Sequence, residues 1–215
     1  TLVTDREEAT VSGIGCYPMW MNDTHYSGNP ALDGMLRDTG LSFQRLLEAL
    51  RVLAGDASQN ILDLYAKSGE VAVSQKSDAS PVTDADHASH RLICESLTSL
   101  TPAIPVLSEE STLEQLIGRR DWPCCWMIDP LDGTREFLEG TGEFTVNIAL
   151  IIDAEAVLGL IAAPNRGYLD LGVPGWGARR FPLFSDGPSE TLATRPLDPH
   201  QPVSYTHLTL PTISR

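Results

Sequence analysis

The feature that most limits the fold is a change of hydrophobic period near residue 100. From Leu41 onward, apolar residues recur every three or four positions, which predicts one amphipathic helix over 42–67. After a polar, proline-containing segment, the same period predicts a second helix over 83–100. Farther along, apolar residues come in short runs typical of strands. Two long helices followed by a mostly antiparallel sheet predict a layered α+β domain.

The short apolar runs predict five strands. The three-residue segment DAE between the third and fourth runs suits a hairpin, and the fifth run would extend the same meander. The predicted strands cover 104–107, 125–128, 144–152, 156–163 and 167–173.

The two ends of the chain have weaker patterns. Residues 1–38 lack a helical or strand period, so we expect an irregular segment outside the functional fold. The main domain is then predicted over 39–180, and 181–215 is interpreted as a degenerate tail. Within that tail, VSYTHLTLPT (203–212) matches the conceptual translation of a transposase sequencing adaptor. We therefore interpret 203–212 as adaptor read-through and expect the natural sequence to be interrupted near Gln201.

Charge and hydropathy exclude several classes of function. The 215 residues carry a formal net charge of −14, so binding of a nucleic-acid polymer through a basic face is not expected. No apolar run approaches the roughly 20 residues of a transmembrane helix, and no signal-peptide pattern is present. The four cysteines lack metal-ligand spacing and indicate free thiols in a reducing compartment. We expect a cytoplasmic protein, with peripheral association at the inner membrane as the alternative.

The segment WMIDPLDGTREF (126–137) carries the clearest chemical pattern. It begins as a buried strand, and Pro130 is expected to end the strand pairing. Asp129 and Asp132 are three residues apart, one helical turn, so both carboxylates are expected on one side. The carbonyl of Leu131 would add a third oxygen. Oxygen ligands of this kind favour hard divalent cations such as Mg²⁺.

The next two residues, Gly133 and Thr134, suit an anion. Gly133 lets the backbone approach a ligand, and the N–H groups of both residues would open a short helix. Cations and an anion site side by side predict a place for a phosphate. The simpler interpretation is a polar turn in which Asp129 caps the helix, since Asp and Gly are common in turns.

Two other segments supply further carboxylates. Glu109 and Glu110 follow the predicted strand that ends at Leu107, where a glutamate could bridge cations or hold a water. Asp86 follows Thr83 at the spacing of a capping box. For the glutamates the alternative is a solvated loop. For Asp86 the alternative is helix capping.

Four motifs in this order resemble the inositol monophosphatase superfamily of Mg²⁺-dependent phosphatases. Within this superfamily, the amino-acid sequences of the motifs are most similar to the 3'(2'),5'-bisphosphate nucleotidase subgroup. The motifs are KSDASPVTDAD (76–86), PVLSEES (105–111), WMIDPLDGTREF (126–137) and GEFTVNIALI (142–151).

The resemblance implies a layered αβα sugar-phosphatase-type fold and a set of metal ligands. Two or three Mg²⁺ ions would be held by four residues: Glu109, Asp129, Leu131 through its carbonyl, and Asp132. Substrate phosphate would lie against Glu109, Leu131, Asp132, Gly133 and Thr134.

The resemblance also implies three catalytic residues. Glu109 would position the attacking water, Thr134 would contact it through its hydroxyl, and Asp86 would orient or deprotonate it. The implied substrate is a small phosphorylated nucleotide, 3'-phosphoadenosine 5'-phosphate, cleaved to AMP and phosphate in sulfate assimilation. An inositol or other sugar monophosphatase of the same superfamily is the alternative. A haloacid-dehalogenase-type phosphatase is less consistent, because its D-x-D-G-T motif is one residue shorter.

The superfamily also has a second α/β domain that carries a W-D-type metal-binding motif. After Asp170 the only tryptophan is Trp176, followed by Gly177, so we expect this domain to be largely missing. A chain without it would be a metal-binding domain without turnover, the third functional alternative. Surface left uncovered would favour self-association into a homo-oligomer.

Overall fold

The computed structural model describes residues 26–71 and 81–194. The predicted adaptor segment, most of the N-terminal segment that the sequence predicts to be irregular, and most of the polar segment between the long helices lie outside this range. The helices are α1 (Pro30–Thr39), α2 (Phe43–Val71), α3 (Pro81–Leu100) and α4 (Thr134–Leu138), with 3₁₀ turns at Arg119–Asp121 and Pro164–Arg166.

In the described residues, seven strands form one sheet in chain order, β1-β2-β3-β4-β5-β6-β7. Only the β1–β2 pair is parallel, so the prediction of a mostly antiparallel sheet is confirmed. Asp153 and Ala154 connect β3 to β4 with positive φ angles of 50° and 65°, as a tight hairpin turn requires. The strands are β1 (Val106–Ser108), β2 (Cys124–Asp132), β3 (Thr145–Ile152), β4 (Glu155–Ala163), β5 (Tyr168–Val173), β6 (Gly177–Pro182) and β7 (Glu190–Leu192).

Helices α2 and α3 pack on one face of the sheet, as the two amphipathic patterns predict. Alternate residues of β2 and β3 point into this core, among them Trp126 and Leu150, both fully buried. The indole N–H of Trp126 donates to Thr101 Oγ1 at 2.9 Å and thereby links β2 to the end of α3. On the opposite face, Met127 is 45% exposed and Ile161 is 51% exposed. The sheet therefore has one covered face and one accessible apolar face.

The prediction that residues 1–38 are irregular and outside the fold is wrong for α1. Asn29 caps this helix because its side-chain oxygen accepts the first backbone N–H groups at 3.1 Å. Gly40 ends the helix in the left-handed conformation. Three inward residues at helical spacing enter the main core: Leu32, Met35 and Leu36. The sequence contained both caps, but the short stripe between them was too brief for its period to stand out.

The predicted domain limit at residue 180 is also wrong. Strand β6 continues to Pro182, and Phe181 is 1% exposed in the core. Strand β7 then pairs with β6 and extends the sheet. The sequence did not predict these strands because 174–202 is rich in glycine, proline and serine. Pairing with the neighbouring strands forms them, and no local apolar pattern marks them.

Helix α3 begins at Pro81, two residues before the predicted start at Thr83. Asp86 therefore lies in the second turn, beyond the positions that cap a helix, and the capping interpretation of Asp86 is wrong. In the described part of the chain, no helix combines the length and apolar character that crossing a bilayer demands. Cys94, Cys124 and Cys125 are free thiols, as expected, and Cys16 lies outside the described residues.

Candidate functional site

A β-bulge in β2 brings Asp129 and Asp132 to the same face of the sheet. Asp129 is opposite Asn147 of β3, and Asp132 is opposite Thr145, so three steps on one strand match two on the other. Cross-strand partners share a face, and both aspartates consequently point to the accessible side. The two carboxylates therefore lie on one side, as predicted, but the cause is a bulge in a strand and not the predicted helical turn.

Pro130 does not end the strand, as the sequence had suggested, but occupies the bulge. Pro130 and Leu131 are both buried on the helix side of β2, although consecutive strand residues normally alternate. A bulge tolerates proline because the missing N–H falls where the ladder is interrupted. This local irregularity is what places a second carboxylate beside Asp129.

The Gly133–Thr134 pair forms the turn into α4. Gly133 has φ of 93°, and a Cβ at this position would lie 2.8 Å from the backbone oxygen of Glu143. Glycine is therefore required both by conformation and by space. The Thr134 hydroxyl is 3.4 Å from the Leu131 carbonyl oxygen, to which it donates a hydrogen bond. The turn thus brings a hydroxyl and a carbonyl oxygen together directly after the bulge.

Glu109 reaches the same end of the sheet from the neighbouring strand. It follows β1, and its backbone N–H donates to the Ile128 carbonyl at 3.2 Å, one residue before Asp129. Glu109 lies close enough to Asp129 for its negative charge to raise the pKa of the Asp129 carboxyl group. Both residues line a concavity of about 570 Å³ on the accessible face, together with apolar residues such as Met127.

Asp86 comes from the second turn of α3 and completes the cluster. The charges of Glu110, Asp129 and Glu109 all act on its carboxyl group, that of Glu110 most strongly. Its Oδ1 atom is buried and has no hydrogen-bond partner among the described residues. The segments that carry the predicted site residues thus meet at one end of the sheet: α3, the end of β1, the β2 bulge and the start of α4.

Mutual repulsion and burial dominate the electrostatics of this cluster. Burial, followed by the negative charge of Glu109 and then that of Asp132, raises the pKa of Asp129 to about 6. Burial, followed by the charge of Glu110, raises the pKa of Asp86 to about 7. Both carboxyl groups therefore ionise at a cost to the folded state.

The donor set fits a hard divalent cation. Carboxylate and carbonyl oxygens are the ligands that Mg²⁺ prefers, and a cation would relieve the repulsion between the carboxylates. The Asp86 Oδ1 atom, which is buried and unpartnered among the described residues, offers a further ligand. Within residues 26–71 and 81–194, however, no three side chains among His, Cys, Asp and Glu converge as a metal ion would require. The strongest neighbouring charge at Asp129 is that of Glu109, and the strongest at Asp86 is that of Glu110.

Sequence reasoning missed three polar side chains at this site. Asn147 donates from its amide to Asp132 Oδ2 at 3.1 Å. Ser89 of α3 donates to the Pro130 carbonyl in the β2 bulge, and His90 of α3 is hydrogen-bonded to the Ser108 hydroxyl at the end of β1. Helix spacing could have revealed Ser89 and His90, because they lie three and four residues after Asp86 and share its face. Asn147 could not have been found without the register of β3 against β2.

Helices packed on a mixed sheet, with a cluster of carboxylates and a glycine turn at one end of its strands, define the class as an α+β protein with an oxygen-rich site. The inositol monophosphatase family model matches residues 43–193, which is more than half of the chain. The chain belongs to the inositol monophosphatase family.

Individual relatives agree with this assignment. The chain is 47% identical over 119 residues to the 3'(2'),5'-bisphosphate nucleotidase CysQ of Salmonella typhimurium, covering 55% of this chain and 48% of the relative. The crystal structure of CysQ from Bacteroides thetaiotaomicron matches with a TM-score of 0.55 and 37% identity, covering 65% of this chain and 50% of that one. The suhB protein of Bartonella henselae matches with a TM-score of 0.51 and 28% identity, covering 62% and 50%. The chain spans about half the length of the curated relatives it matches.

Proposed function

We propose that this chain carries the metal and phosphate site of a Mg²⁺-dependent phosphomonoester hydrolase. The observation that supports this most directly is the β2 bulge, which places Asp129 and Asp132 side by side next to the Gly133 turn. A cluster made only of acidic groups would repel a phosphate. Such a cluster is suited to phosphate chemistry only if cations bind first and reverse the local charge.

Four residues would hold the metal ions: Glu109, Asp129 and Asp132 through their carboxylates, and Leu131 through its carbonyl oxygen. Mg²⁺ bound there supplies a Lewis acid that offsets charge on the phosphoryl oxygens and makes water more acidic. We propose that these residues bind two or three Mg²⁺ ions.

The chain's own residues would then position the reactants. The backbone N–H groups of Gly133 and Thr134 would donate to phosphoryl oxygens at the start of α4. Glu109 and the Thr134 hydroxyl would orient a water for attack on phosphorus. Asp86 would accept the proton of that water. The ester P–O bond would break as the new P–O bond forms, and the leaving alkoxide would take up a proton from solvent water.

The substrate that we propose is 3'-phosphoadenosine 5'-phosphate. The support is the similarity to proteins named 3'(2'),5'-bisphosphate nucleotidase, at 47% identity in the Salmonella typhimurium relative. A sugar monophosphate is the second candidate, because the matching family model bears the name inositol monophosphatase.

Phosphate release by the purified chain in Mg²⁺ tests the proposal. We expect release from 3'-phosphoadenosine 5'-phosphate to exceed release from inositol 1-phosphate, and Asp129→Asn to abolish it. Preference for inositol 1-phosphate would select the second candidate. Binding of Mg²⁺ by calorimetry without release from either substrate would identify a metal-binding domain without turnover. Failure to bind Mg²⁺ in a folded protein would refute the proposed site.

A further inference from the structure

Two consecutive residues of α3 connect this helix to both carboxylate-bearing segments of the site. Ser89 is fully buried, and its hydroxyl donates to the Pro130 carbonyl in the β2 bulge at 3.0 Å. His90 Nδ1 is hydrogen-bonded to the Ser108 hydroxyl at 2.8 Å, at the last residue of β1. One helical surface therefore contacts both the segment before Glu109 and the segment between the two aspartates.

The contact with Ser108 is part of a small hydrogen-bonded turn. The backbone N–H of Glu110 donates to Ser108 Oγ at 3.3 Å, and the Ser108 N–H donates to Ser111 Oγ at 3.0 Å. Ser108 is 5% exposed, so a lost hydrogen bond at its hydroxyl would not be fully replaced by water. The imidazole of His90 is thus one of the groups that hold the turn after β1.

The contact with Pro130 is equally specific. A proline in a bulge contributes no N–H, and its carbonyl does not lie in the regular ladder. Ser89 supplies a donor to that carbonyl from outside the sheet. This bond fixes the distance between α3 and the bulge whose two ends are Asp129 and Asp132.

We propose that Ser89 and His90 are positioning residues that hold Glu109 and the Asp129–Asp132 pair in register for metal binding. Asp86 lies three and four residues earlier on the same helical face, so α3 carries one member of the site and anchors the other two segments. This role rests on the proposed function. It extends that function to residues that touch neither the metal nor the phosphate but act through the backbone that carries the ligands.

Matched variants separate positioning from general stability. Ser89→Ala removes the bond to Pro130. Ser58→Ala is its control, because Ser58 is also fully buried but its hydroxyl has no hydrogen-bond partner within the part of the chain that the structure describes. His90→Leu removes the bond to Ser108. His90→Asn has nearly the shape of the leucine variant but places an amide where Nδ1 lies, and it should restore the bond.

The first measurement is the Mg²⁺ dissociation constant by calorimetry. We expect Ser89→Ala and His90→Leu to weaken binding about tenfold or more, as loss of outer partners of metal ligands typically does. His90→Asn should remain within about threefold of the parent, and Ser58→Ala should be unchanged. Parent-like Mg²⁺ affinity in Ser89→Ala and His90→Leu, even with lowered thermal stability, would overturn the proposal.

The second measurement needs no metal. Amide hydrogen exchange should rise at residues 109–111 in His90→Leu and at residues 131–133 in Ser89→Ala, each without a comparable rise in the other segment. Equal or absent effects on the two segments would count against positioning. A parent protein that binds no Mg²⁺ would refute the proposed function, while this exchange pattern would still decide the role of the two residues.

Discussion

Replacing Asp129 with asparagine should stabilise the folded chain at neutral pH while removing its proposed metal site. Asp129 lies against Glu109 and near Asp132, and burial plus these charges raises its pKa from the ordinary 3.8 to about 6. Its ionised form is therefore disfavoured in the folded state. An asparagine of the same shape removes this charge and can donate its amide to Glu109.

The size of the effect follows from the pKa. Each pKa unit corresponds to about 1.4 kcal/mol, so a rise from 3.8 to about 6 corresponds to about 3 kcal/mol of unfavourable ionisation. Because the group is only half-buried, solvent screening reduces this to about 1–2 kcal/mol. A raised folded-state pKa means that the folded state holds the proton more tightly. The stability contributed by the protonated group is thus present below pH 4 and is lost as the pH rises from about 4 to about 6.

Urea unfolding at pH 7.5 and at pH 4 measures this difference. We expect the free energy of unfolding of Asp129→Asn to exceed that of the parent by about 1–2 kcal/mol at pH 7.5 and to match it near pH 4. Saturating Mg²⁺ should reverse the order at pH 7.5, because only the parent gains binding energy. Asp170→Asn is the contrasting control, since Asp170 is paired with Arg180 at 2.7 Å and its loss should not stabilise. A less stable Asp129→Asn at pH 7.5 without Mg²⁺ would refute the assignment of a repulsive carboxylate cluster.

Three further substitutions test separate parts of the structure. Gly133→Ala should lower the free energy of unfolding by about 2–3 kcal/mol and abolish phosphate release, because the new Cβ would lie 2.8 Å from the Glu143 backbone oxygen. A urea midpoint equal to that of the parent would contradict this turn geometry. Leu32→Ala should cost about 3 kcal/mol in urea unfolding, because Leu32 is fully buried; a cost under about 0.5 kcal/mol would place α1 outside the fold. Trp126→Phe should lower the free energy of unfolding by about 2 kcal/mol, because it removes side-chain volume and the hydrogen bond to Thr101. A thermal unfolding midpoint equal to that of the parent would show that this bond does not contribute to stability.

The site shows how far a linear motif can be interpreted. Its acidic residues, glycine and threonine were all identifiable from the sequence, because their side-chain chemistry and spacing limit what they can bind. The reason that Asp129 and Asp132 share a face was not identifiable in this way. Strand alternation would place residues three apart on opposite faces, and only pairing with β3 shows that a bulge compensates for the odd spacing.

The elements of the fold likewise differ in whether the local sequence predicts them. The periods of α2, α3 and the central strands are local properties, and the sequence predicted those elements within a few residues. Strands β6 and β7 were missed because they are stabilised by neighbours in the sheet and not by their own composition.

The sequence by itself determined the long helices, the antiparallel meander and the chemical character of the site, since these depend on residue type and short-range spacing. Only the tertiary structure decided that Ser89 and His90 join α3 to two strands, and that Asn147 contacts Asp132. Those contacts join residues up to 41 positions apart. Their geometry is set by sheet register and helix packing, and neither is encoded in any one segment of the chain.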